Sequence, residues 1–301
     1  MTAMDAVTLR QLSQHADTYL AGNGHSPSRL LVLATALLAL AAVASSRIWP
    51  VARTVVTIAH EGGHALVALL TGRRVSSVRV LRSTAGVTVS EGSPAGPGIV
   101  LTAAAGYLTP PLLGLGAAAL LVTGHLAGML ILSLVLLTAL ATAVRNAYGL
   151  VAVLVTGAAV ALVLWRASLL GEYAFGYALT WFLLFGSVRP VVELQRTRRR
   201  RPPGRTDADQ LAMLTGAPAW LWVGVFGMVA LAALAVGTFW LVTPLLIWKP
   251  VSLLELSVQV RRMLELSTGV AARLVGAAGG TEPCVTLNWA VRKYRAVRSV
   301  K

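Results

Sequence analysis

The chain has 301 residues, of which 56% are hydrophobic and only 12% charged, and its mean hydropathy is +0.73. This composition excludes a soluble globular domain and predicts a polytopic membrane protein. The net charge of +15 comes almost entirely from arginine, and in a membrane protein such charge indicates orientation before it indicates nucleic-acid binding.

A polar leader precedes the first apolar run, which begins only at Leu30. The leader, residues 1–29, contains Asp5, Arg10 and Asp17, so a cleaved secretory signal is not expected. A membrane-embedded domain is predicted over residues 30–247. The remaining residues, 248–301, have apolar side chains at helical spacing among basic ones, which predicts an amphipathic tail at a membrane surface or against the bundle.

Seven apolar segments have lengths near the roughly 20 residues that one membrane crossing needs. They predict an all-α membrane protein, a bundle of about six or seven transmembrane helices. The segments are Leu30–Ser46, Val51–Leu70, Ile99–Thr123, Leu126–Val144, Ala147–Trp165, Leu169–Ser187 and Ala219–Ile247.

Arginines follow the second, fourth and sixth segments, in alternate loops that lie on one side of the membrane. The positive-inside rule makes that side cytoplasmic and places the N-terminus there as well, in what we expect to be a bacterial cell membrane. Seven crossings place the tail outside, whereas a fold-back at Gly237 and Pro244 keeps it inside, and the sequence leaves both open.

The second segment contains the motif His60-Glu61-Gly62-Gly63-His64. Residues four apart share one helix face, so His60 and His64 can bind one metal ion with Glu61 beside its open coordination position. Ionisable residues are energetically costly in the middle of a membrane span, which favours a functional role for these three residues. The structural alternative is that all three side chains only hydrogen-bond to neighbouring helices.

The loop after this helix alternates β-branched and small polar residues from Val75 to Val89, which predicts a short β-hairpin. The hairpin is either a plain connection or an edge strand onto which an extended substrate adds.

A catalytic zinc site needs a third protein ligand. The only cysteine is Cys284, which excludes a thiolate cage, so the third ligand is expected to be a carboxylate. Asp207 and Asp209 are the better candidates, because they lie at the cytoplasmic start of the last apolar segment and His64 lies toward the cytoplasmic end of its own segment. Glu172, near the outer end of the sixth segment, and Glu91, in the loop after the hairpin, are weaker candidates.

The alternative for the two aspartates is helix capping, with Thr206 as the N-cap. The arginine run at 198–201 is expected to lie in water at the cytoplasmic face of the membrane, where it ends the sixth crossing. We expect no nucleic-acid partner for it.

Four stretches, HEGGHALVALLTGRR, AAGYLTPPLLG, RNAYGLVAVL and TDADQLAMLTGAPAWLW, resemble the site-2 protease group of intramembrane zinc metalloproteases, most closely small peptidase-like membrane proteins of actinobacteria. The resemblance implies zinc as cofactor, His60 and His64 as ligands, Glu61 as catalytic base, and Asp207 as third ligand in preference to Asp209. The asparagine-proline and leucine-aspartate-glycine motifs of well-studied members are absent, and TDADQLA takes the place of the latter.

The expected function is zinc-dependent cleavage of transmembrane or membrane-proximal protein substrates. Two other classes stay open: a catalytically silent metal-binding scaffold or escort, and a transporter that uses the motif as a polar relay. Inverted repeats would favour the transporter, and the seven segments show none.

Overall fold

The computed structural model describes residues 28–81, 86–200 and 206–246. These residues form eight helices and one two-stranded sheet. In chain order they are α1 Arg29–Ala44, α2 Trp49–Leu70, β1 Arg74–Val80, β2 Gly86–Glu91, α3 Pro97–Val122, α4 Leu126–Ala143, α5 Ala147–Arg166, α6 Leu169–Arg200, α7 Asp207–Thr215 and α8 Ala219–Leu246.

Five of these helices, α3, α4, α5, α6 and α8, are each long and apolar enough to cross a membrane. Helices α1 and α2 meet this test only together, and the chain bends by 102° between them. The described residues therefore contain five candidate crossings, or six if the bent pair is one crossing, which fits the predicted bundle. Helices α1 and α2 do not qualify singly because α1 has only 16 residues and α2 carries the polar motif.

The largest apolar core lies where α1, α3, α4, α5, α6 and α8 pack together, around Trp181, Leu184 and Leu130. A second core joins α3 and α6 to the short helix α7 and the start of α8, with Leu211 and Phe226 fully buried. These contacts bring α7, which is distant from α2 in sequence, into the bundle that contains the motif.

The predicted hairpin is confirmed as an antiparallel pair in which Val78 faces Thr88 and Val80 faces Gly86. The outer side of β1 is occupied by the connection between α4 and α5. There Asn146 exchanges two hydrogen bonds with the backbone of Val80, at 3.1 and 2.8 Å. The hairpin is thus fixed to the bundle through β1, and β2 lies toward α2.

A polar cluster fixes the bend between α1 and α2 to helix α6. The Glu193 carboxylate accepts a hydrogen bond from the Trp49 indole at 2.9 Å and pairs with Arg53 at 3.1 Å. Arg189 pairs with the same carboxylate at 3.1 Å and donates to the carbonyl of Val43. The start of α2 is therefore anchored on α6.

The chain divides into a compact unit of Met1–Leu245 and a second unit of Leu246–Lys301. The predicted leader, apart from its last two residues, and the predicted amphipathic tail lie outside the described residues.

Candidate metal centre

The two motif histidines project from adjacent turns of α2 toward the same point. Their Nε2 atoms lie 3.1 Å apart, and their rings meet edge to face with centroids 4.7 Å apart. The Nδ1–H of His64 donates to the carbonyl of Thr102 on α3 at 2.6 Å. That bond fixes the tautomer, so the Nε2 lone pair of His64 faces the centre.

Helix α7 brings Asp207 to this histidine pair. Its Oδ2 lies 3.1 Å from Nε2 of His60 and 3.5 Å from Nε2 of His64. Within residues 28–81, 86–200 and 206–246, these three residues form the one group whose donor atoms converge as metal ligands do, all within 4.8 Å.

The sequence leaves Asp207 and Asp209 as alternatives, and the structure separates them. One carboxylate oxygen of Asp209 accepts from Arg198 on α6 at 3.0 Å, and the other accepts from the Thr206 hydroxyl at 2.7 Å. Thr206 is also the N-cap of α7, accepting from the Asp209 amide at 3.3 Å. Asp209 therefore takes part in capping and in tethering α7, whereas Asp207 faces the imidazoles.

The donor set fits a tetrahedral zinc ion. Zinc bonds of 2.0–2.1 Å place neighbouring ligand atoms about 3.3 Å apart. The three separations, 3.1, 3.1 and 3.5 Å, lie around that value. Two nitrogen lone pairs and a carboxylate oxygen repel one another at this range, so a cation or shared protons must lie between them.

Two glycines let α2 and α3 approach closely at the centre. A Cβ atom at Gly106 would lie 2.3 Å from Nε2 of His64 and 2.6 Å from the ring of His60. A Cβ at Gly63 would lie 2.1 Å from the Thr109 hydroxyl. The sequence analysis does not identify Gly106, although the run of small residues before Tyr107 is visible in the sequence.

Tyr107 forms one wall of the centre, which the sequence does not reveal. Its ring meets His60 edge to face, with centroids 4.8 Å apart and planes at 90°. On its other side it stacks on Phe226 of α8 at 4.9 Å. An aromatic pair from α3 and α8 therefore holds the His60 ring in place.

Glu61 lies between the centre and the hairpin. Its side chain is only 2% exposed, and Oε1 is 4.0 Å from Nε2 of His60. Its other oxygen, Oε2, accepts a hydrogen bond from the Thr88 hydroxyl on β2 at 2.6 Å. The carboxylate is thus beside the donor set without belonging to it, as a proton acceptor in such a site must be.

Comparison with known proteins gives one result. A family model described as Peptidase M50B-like matches residues 33–237, which include all three donors and Glu61. No curated protein and no solved structure matches the chain. Because the matched region covers most of the chain and its helices are those of an integral membrane protein, this chain belongs to the Peptidase M50B-like family.

Proposed function

We propose that this protein is an intramembrane zinc metalloprotease that cleaves transmembrane or membrane-proximal protein substrates. The observation that carries the proposal is the convergence of His60, His64 and Asp207 beside the buried Glu61 in a membrane-embedded bundle. The family match supports a peptidase, and the donor set, with nitrogen and oxygen ligands and no thiolate, is typical of a catalytic zinc site.

In this proposal the two histidines and Asp207 would hold zinc, which when bound would activate water for attack and polarise the scissile carbonyl. Glu61 would accept a proton from the attacking water and donate it to the leaving amine. Thr102 orients His64 through its carbonyl, and Tyr107 packs against His60, so both imidazoles are held in place before substrate arrives.

A helical substrate must unwind, because its peptide bonds are hidden inside the helix. We propose that the unwound segment lies alongside β2, the strand of the hairpin nearer to Glu61. The other hairpin edge, on β1, is occupied by the α4–α5 connection. Main-chain hydrogen bonds to β2 would then present an extended segment to the centre.

The arginine-rich loops support an orientation in which the centre opens toward the cytoplasmic side of a bacterial membrane. Arg73 and Arg74 follow α2, Arg145 follows α4, and Arg198 lies near the end of α6, all at ends that lie on one side if the helices cross in turn.

The test compares Glu61→Gln with His64→Ala and Asp207→Ala. We expect Glu61→Gln to keep about one zinc per chain and to lose cleavage by roughly 10²–10⁴-fold, since a general base contributes that much. The other two variants should lose both zinc and cleavage. Metal analysis of detergent-purified protein gives the first quantity. Hydrolysis of labelled casein and of single-span reporter proteins in proteoliposomes gives the second.

A parent protein that binds zinc through these residues but cuts none of the substrates would instead be a silent metal-binding protein. Parental activity in Glu61→Gln would show that Glu61 is not the base.

A further inference from the structure

The hairpin touches the proposed general base directly. The Oγ1 atom of Thr88 lies 2.6 Å from Oε2 of Glu61 and 3.3 Å from the Glu61 carbonyl oxygen. The shorter contact is in the range of a charge-assisted O–H···O bond, so the hydroxyl donates mainly to the carboxylate.

Gly86 covers the same carboxylate two residues earlier on the same face of β2. A Cβ atom there would lie 2.0 Å from Oε1 and 2.2 Å from Cδ of Glu61. The backbone of β2 thus lies directly against the carboxylate, and a side chain at this position would displace the end of the Glu61 side chain. Together Gly86 and Thr88 bound the Glu61 carboxylate on the side of the hairpin.

Burial of this carboxylate needs compensation. Removing a charged group from water is costly unless it is hydrogen-bonded, and Glu61 is 2% exposed. Thr88 supplies a donor to Oε2, which leaves Oε1, 4.0 Å from Nε2 of His60, on the side of the metal donors.

The strand that carries Thr88 is itself held in place. Its partner β1 is fixed by Asn146 and by the amide of Arg145, which donates to the carbonyl of Val78 at 2.9 Å. Val78 faces Thr88 across the hairpin. The hydroxyl is therefore positioned by backbone contacts that do not depend on the metal.

We propose that Thr88 is a positioning residue that orients the Glu61 carboxylate so that Oε1 faces the place where the attacking water would lie, beside His60, His64 and Asp207. This rests on the proposed function. It makes the hairpin part of the catalytic machinery in addition to any role in receiving substrate, because a base must be held within a few tenths of an ångström of its working geometry.

The experiment uses full-length, zinc-loaded protein and casein hydrolysis, with Thr88→Val and Thr88→Ser. Valine keeps the shape but removes the hydroxyl, so we expect unchanged zinc content, a KM within about twofold of the parent, and a kcat lowered by roughly 10–100-fold, a part of the full contribution of a general base. Serine keeps the donor and should restore kcat to within about threefold of the parent.

The matched control is Thr142→Val, the same exchange near the end of α4. The Thr142 hydroxyl donates to the carbonyl of Ala139 on its own helix and the residue is exposed, so this variant should behave like the parent.

A second readout is independent of turnover. Thr88→Val should lower the thermal unfolding midpoint of the parent but have little effect in a Glu61→Met background, where no carboxylate accepts the hydroxyl. Equal shifts in both backgrounds would overturn the proposal.

Three further outcomes are decisive. Parental kcat in Thr88→Val would refute the positioning role and leave the proposed protease intact. Zinc loss in Thr88→Val that serine does not rescue would show that Thr88 supports the fold, not the base. A zinc-loaded parent without any cleavage would refute the proposed function, and the positioning role with it.

Discussion

At the scale of single residues, the close approach of α2 and α3 depends on the absence of a side chain at Gly106. This residue lies against both imidazoles, and even one methyl group there would overlap Nε2 of His64. The metal donors therefore depend on a position that makes no polar contact with them.

Gly106→Ala should accordingly displace His60 or His64 and reduce zinc content well below one per chain. The control is Gly116→Ala on the same helix, where a Cβ meets nothing within 4 Å. That control should keep its zinc and gain up to about 1 kcal/mol of helix stability. Metal analysis and thermal unfolding in detergent measure both effects, and full zinc occupancy in Gly106→Ala would contradict the steric argument.

The histidine pair and Glu61 are predictable at this scale because the spacing of the motif alone puts them together. The choice between Asp207 and Asp209 is not, because both are acids in the first turn of α7. Residues two apart on a helix point about 200° away from each other, so only one of them can face the imidazoles. Which one does so depends on how α7 packs, and the local sequence does not contain that information.

At the scale of elements, the short helix α7 is held by its ends. Thr206 caps its start, and Gly216 closes its end in a left-handed conformation with φ 74°. Arg198 of α6 pairs with Asp209 at 3.0 Å, which fixes the rotation of α7 that turns Asp207 toward the histidines.

Arg198→Ala should therefore weaken zinc binding by roughly 10-fold, the lower end of what outer-shell partners contribute. Arg199→Ala removes a neighbouring arginine that is exposed and should leave the affinity unchanged. Competition with a chromogenic chelator measures the affinity. Equal affinities in the two variants would mean that packing alone orients α7.

The hairpin is predictable from its alternating pattern, but its contact with Glu61 is not, because pairing between distant segments leaves no local signal.

Helix α6 also extends further than its apolar run. The run ends at Ser187, whereas the helix continues to Arg200, because arginine is polar but has a high helix propensity.

At the scale of the whole molecule, the 102° bend bears on which side of the membrane the N-terminus lies. Two separate crossings by α1 and α2 place it in the cytoplasm, as the sequence predicts, whereas one broken crossing places it outside. The end of α1 contacts α6 at Arg189, toward the arginine-rich end. The residues of α6 that belong to the same apolar core as Val32 and Ala39 of α1 all precede Gly186. Helix α1 therefore runs in the same direction as α6, which favours the broken crossing.

We accordingly expect a cysteine introduced at Ser28, in a Cys284→Ser background, to react with a membrane-impermeant maleimide added outside intact cells. A cysteine at Thr123, at the opposite end of α3 from the hairpin, should react from the same side, and one at Arg74 should not. If the cysteine introduced at Ser28 does not react, the N-terminus is cytoplasmic and α1 and α2 are two separate crossings.

Helix α6 contacts both of the helices that carry the three donors, without contributing a donor itself. Arg189 and Glu193 grip the start of the histidine-bearing helix, and Arg198, about 14 Å further along at 1.5 Å per residue, grips the helix of Asp207. It is a common support for the two helices. Pro190 lies within this stretch, at a position where a helix loses one backbone hydrogen bond. A bend of α6 between Arg189 and Arg198 would therefore shift the imidazoles relative to the carboxylate.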